Sequence, residues 1–165
     1  MKALIARLKL STHQPWYAPV LGFLAALDYF IAVIPTDGLL IASSMATPRR
    51  WLRLFLCLAL GSALGATAFA AVIQTYGNPF MDWLFPNLHQ HRIWILSEQW
   101  TRDYGLGAIG IISALPLITH PVIAIAALAG TPFQKIGFMV LLGRLLKYGI
   151  FSWVAAHAPK LLTRK

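Results

Sequence analysis

The chain of 165 residues contains a single cysteine, Cys57, so it can form no disulfide within itself and no cysteine cluster for a metal. Acidic residues are scarce too: five Asp and Glu stand against fourteen Lys and Arg. Charged residues make up 12% of the chain, well under the roughly 25% of a soluble domain. No His/Glu arrangement has metal-ligand spacing and no nucleophile stands beside a base, so the expectation is a protein without metal or cofactor that is not an enzyme. What the chain does have is apolar side chains, 58% of the total, gathered in long runs. It therefore reads as an all-α integral membrane protein of the inner (plasma) membrane.

A formal net charge of +9 raises the question of nucleic acid. The basic residues flank the apolar runs instead of forming one patch, and no zinc-finger spacing or RNA-binding aromatic motif is present. Membrane lipids, attracted through their anionic head groups, are the better-matched partner. Lys2, Arg7 and Lys9 precede apolar sequence as in a signal peptide, but further apolar segments follow, so the N-terminus is expected to be retained. Residues 1–16 read as a basic N-terminal interfacial segment, 17–158 as a single membrane domain and 159–165 as a basic tail.

Inside that domain the pattern repeats. Residues 17–47 are apolar except for Asp28 and Asp37, and Pro35-Thr36-Asp37-Gly38 breaks any helix there. Residues 54–76 read as one clean span containing Gly61 and Gly65, a small-residue spacing expected to serve packing within the monomer. Residues 77–104 form an amphipathic interfacial segment in which Trp83, Trp94 and Trp100 recur among charges, with His89 and His91 read as solvated. Residues 105–133 are again apolar but interrupted between Pro116 and Pro121, and 136–158 read as the last span.

The two broken stretches either cross the membrane or turn back as re-entrant hairpins. If both turn back, Lys2, Arg7, Lys9, Arg49, Arg50, Arg53 and the basic tail share one side, leaving Arg92, Arg102 and Lys135 on the other. This is the larger positive-inside asymmetry, and it places both termini in the cytoplasm. Each half then follows one plan, hairpin then span, entered from opposite faces: two inverted re-entrant helical hairpins packed with spanning helices, an architecture used by transporters.

Asp28, Asp37, His120, Arg144 and Lys147 all fall in apolar runs. Each charge at mid-helix costs about 2.5–3.5 kcal/mol on insertion scales, so these groups are expected to face protein or a watery groove. One reading gives Asp28, Asp37 and His120 proton coupling or a substrate groove, and gives Arg144 and Lys147 the binding of an anionic phosphate head group. The other makes them internal ion pairs that hold the fold together, with Lys147 also long enough to snorkel.

Several motifs carry a resemblance. Pro35-Thr36-Asp37 after an apolar run, and a small-residue span ending in Tyr76-Gly77, resemble the first half of the DedA proteins, also called the VTT or SNARE-associated family. Ser113-Ala-Leu-Pro116-Leu-Ile-Thr119-His120-Pro121, Ala129-Gly130-Thr-Pro132-Phe133 and Gly143-Arg144-Leu-Leu-Lys147-Tyr148 resemble its small YqaA-like branch. The likeness covers roughly residues 25–155. It implies paired re-entrant hairpins and movement of a phospholipid or polyprenyl-phosphate across the bilayer, coupled to protons in some members. The family acid after the Pro corresponds to Asp37. Ser113 and Thr119 stand near positions where family members often carry Arg, and His120 where the branch often carries an acid. The expected function is thus a lipid translocase or scramblase-like transporter, with a homodimer as a candidate assembly. The competing expectation is a non-transporting membrane scaffold or assembly factor.

Overall fold

The computed structural model describes residues 14–31, 35–84 and 92–162, except for the side chains of 83, 84, 93 and 158–162. Residues 1–13 of the predicted basic segment, and His89 and His91, lie outside these. The described residues are all-helical and contain no strand. The helices are α1 (Tyr17–Ile31), α2 (Thr36–Ala46), α3 (Trp51–Tyr76), α4 (Asn78–Leu84), α5 (Arg92–Tyr104), α6 (Leu106–Ala114), α7 (His120–Leu128) and α8 (Phe133–Leu162), with a 3-10 turn at Pro48–Arg50 before α3.

Among the described residues two helices are long and apolar enough to cross a membrane, the stretches Pro48–Tyr76 and Phe133–His157. Both leave apolar side chains uncovered at four-residue intervals. Leu52, Leu56, Leu60 and Leu64 are exposed along α3, and Phe138, Leu142, Leu146 and Ile150 along α8. The core helix of a soluble protein buries such a stripe, whereas a helix bordered by lipid does not need to. The helices start earlier than the apolar pattern suggested. Pro48 opens the 3-10 turn, where a missing N–H costs nothing, and Trp51, Leu52 and Arg53 continue into α3.

The remaining apolar helices are short. At about 1.5 Å per residue, α1 reaches ~22 Å, α2 ~16 Å, and α6 and α7 ~13 Å each, against a hydrocarbon thickness of about 30 Å. The chain divides into two compact units, Met1–Ser62 with Leu145–Lys165, and Ala63–Arg144. Each unit holds one of the broken pairs.

In the first unit α1 and α2 double back on one another. Tyr17, the first residue of α1, lies 2.8 Å from Ser43 near the end of α2, oxygen to oxygen, across 26 residues. A pair continuing in one direction would separate them by roughly 39 Å. The open end of this hairpin lies beside the start of α3, where Arg53 donates to the Pro15 carbonyl at 2.9 Å. Gly22 and Gly61 let α1 and α3 touch backbone to backbone: a Cβ on Gly61 would fall inside the Gly22 carbonyl. Gly61 is thus spent on packing inside the monomer. Further along, Tyr29 bonds Ser62 at 3.2 Å.

In the second unit, α6 ends at Ala114 because Pro116 follows shortly and disfavours helix in the residue before it. Helix α7 restarts at His120, with Pro121 in its first turn where the ring is tolerated. It closes at Gly130, φ +78°, where Thr131 N–H returns to the Ala126 carbonyl at 3.0 Å, the six-to-one bond of a Schellman turn. Helix α6 lies against α8 near Gly143, and α7 begins just after Thr119, which lies beside Arg144, and ends just before α8 starts. So α6 and α7 also run in opposite senses. The amphipathic helix α5 packs on both of them and turns Trp94 and Ser97 inward.

Candidate functional site

Each broken pair brings polar groups to its tip, and in each unit a cation from α8 meets that tip. In the first unit the tip residue is Asp37, in the first turn of α2, where the helix dipole favours a carboxylate. Its Oδ2 lies 2.6 Å from Lys147 Nζ. The lysine side chain is 2% exposed and the aspartate side chain 37% exposed, so the pair has a covered cationic end and an opened anionic end. Asp37 Oδ1 is buried and has no hydrogen-bond partner among the described residues. The ammonium also lies 5.7 Å from the ring centroids of Tyr148 and Phe151, a cation–π arrangement that offsets part of its desolvation. Lys147 therefore does not snorkel. It is held inside the unit by a carboxylate.

One further polar tie fixes this hairpin to the long helices. Ser44, fully buried, lies 2.8 Å from Ser152 of α8, which in turn donates to the Trp51 carbonyl at 3.2 Å. Asp28 sits half-buried in the last turn of α1.

In the second unit Arg144 is 8% exposed and its Nη2 donates to Thr119 Oγ1 at 3.3 Å. Thr119 is the last residue before α7 and is itself buried. His120 follows it, half-buried, its ring edge-on to Phe69 with centroids 6.0 Å apart. Ser113, near the end of α6, is fully buried and its hydroxyl finds no hydrogen-bond partner among the described residues. It lies close to α8, since a Cβ on Gly143 would crowd Ser113 Cβ.

Of the residues singled out from sequence, Asp37 and Lys147 are brought together in the first unit. Arg144 and His120 both stand at the tip region of the second, next to Thr119. The hydroxyl partners (Thr119, Ser44, Ser152, Ser62) were not singled out as site residues. The signal available for them is a small hydroxyl in an otherwise apolar run, which must find a partner if it is buried. Among the described residues no group of three or more His, Cys, Asp or Glu could hold a metal ion. What the arrangement offers chemically is a carboxylate that can exchange a proton, a guanidinium that can bond two oxygens of a phosphate, and a hydroxyl donor beside it. No protein-family model, curated protein or solved structure matches the chain.

Proposed function

We propose that this chain is a lipid translocase of the DedA/VTT kind, residing in the inner membrane with both termini in the cytoplasm. Its two helical hairpins enter the bilayer from opposite faces without crossing it. Lipid phosphate head groups pass along their polar tips while acyl chains stay in the hydrocarbon. The observation that carries this reading is the Asp37–Lys147 pair: a 2% exposed lysine held at the tip of a hairpin too short to span. Freed backbone and charge at membrane depth are tolerated where protein or a watery cavity surrounds them. From Phe133, Arg144 and Lys147 lie ~16 and ~21 Å along α8, near the middle of a ~30 Å hydrocarbon layer. Asp37, Asp28 and His120 supply titratable groups for proton coupling, and Arg144 supplies the phosphate ligand.

The test is translocation of a fluorescent phospholipid in proteoliposomes. Asp37→Asn and Arg144→Ala are each expected to abolish it. Wild-type rates in both variants would remove the assigned roles.

One observation favours a second reading, a membrane scaffold that transports nothing. The lysine and the aspartate satisfy each other inside one unit, as a purely structural pair would. The charge-neutral double variant Asp37→Asn/Lys147→Met separates the two. A scaffold keeps its cellular activity in that variant. A translocase folds but no longer moves lipid.

A further inference from the structure

We infer that the turn before α3 is a binding site for an anionic phospholipid of the surrounding leaflet, separate from any transported lipid. The inference requires only that α3 lies in a membrane. Arg49, Arg50 and Arg53 stand within five residues, all exposed. They gather at the first turns of α3, where the helix dipole is also positive, so positive charge is concentrated against its own interest. A phosphate relieves that repulsion.

The geometry joins this charge to an acyl-chain track. Arg49 precedes Arg53 by four residues, and Leu56 and Leu60 follow Arg53 by three and seven, which places all four on one helix face. Leu52, Leu56 and Leu60 are 53%, 42% and 52% exposed. A head group at Arg49 and Arg53 therefore has its acyl chain running down exposed leucine. A free phosphate or an acidic peptide has no use for that second feature, which commits the site to a phospholipid. Arg53 is also fixed in place, one Nη donating to the Pro15 carbonyl at 2.9 Å, so a guanidinium edge is oriented before lipid arrives. Trp16, one residue beyond Pro15, is 54% exposed, as expected of an indole at head-group depth. Among the described residues Arg49 forms no ion pair.

Native mass spectrometry of the full chain, released from vesicles of equal phosphatidylglycerol and phosphatidylcholine, reads the preference directly. The wild-type chain is expected to retain phosphatidylglycerol preferentially. One basic residue near an anionic surface is worth about fivefold, so Arg49→Gln and Arg53→Gln should each lower the preference by about that factor. Arg102→Gln should leave it unchanged, because Arg102 is already matched by Glu98 at 2.6 Å. Arg49→Lys should keep most of it. An unchanged preference in the Arg49→Gln/Arg53→Gln variant would overturn the inference. So would displacement of the bound lipid by an equal concentration of glycerol phosphate, since the acyl track would then contribute nothing.

Discussion

The two hairpin tips solve one problem with different chemistry. At the first tip the buried cation of α8 meets a carboxylate at 2.6 Å, and at the second it meets a hydroxyl at 3.3 Å. The first contact is charge against charge, short and strong. The second contact is charge against a neutral hydroxyl, beside a buried serine hydroxyl that bonds nothing described. The ion pair at the first tip is therefore the stronger of the two contacts.

The sharpest way to break this contrast is to strip each charge from the first tip in turn. Asp37→Asn strands an ammonium that is 2% exposed, and should cost about 3 kcal/mol in thermal unfolding in detergent micelles. Lys147→Met strands a carboxylate that is 37% exposed and can be rehydrated, so it should cost clearly less. The reverse order would mean that the lysine is not the desolvated partner. Next come the helix crossings. Gly61→Ala drives a methyl into the Gly22 carbonyl, and Gly143→Ala drives one into Gly110 and Ser113. Each should cost about 1–3 kcal/mol by the same measurement. If Gly143→Ala is silent, α6 yields where α1 does not. At the second tip Thr119→Val removes the hydroxyl and should cost about 1 kcal/mol, less than either change at the first. An equal loss would erase the distinction between the tips. Smallest of all, Glu98→Gln breaks an exposed pair on α5 and should change stability by under ~0.5 kcal/mol.

Much of the fold was legible because membrane-length apolar runs and helix breakers are local signals. Pro35 and Gly38 marked the first break and Pro116 and Pro121 the second, and the helices stop and restart around them. The long helices were anticipated to within a few residues, missing residues 159–162 at the end of α8, which were read as tail, as well as Trp51–Arg53 at the start of α3 and Phe133–Lys135 at the start of α8. Turn chemistry was read at those two starts where helix propensity and an opening proline prevailed. The candidate charges were visible because a charge in an apolar run stands out. Their pairing was not. Lys147 is 110 positions from Asp37 in the chain, and Ser152 is 108 from Ser44. Such contacts depend on which helix faces meet, which no local pattern encodes. Thr119 was passed over as a site residue for the same reason: a threonine before a helix is an ordinary cap until an arginine reaches it.

The crossing at Gly22 and Gly61 constrains motion. With no side chains between the two backbones there are no rotamers to exchange, so α1 cannot glide past α3 in the small steps that shear movements use. The arm and the column it leans on must travel as one rigid piece. Any rearrangement at Asp37 has to leave this crossing intact and cannot come from sliding α1 along α3.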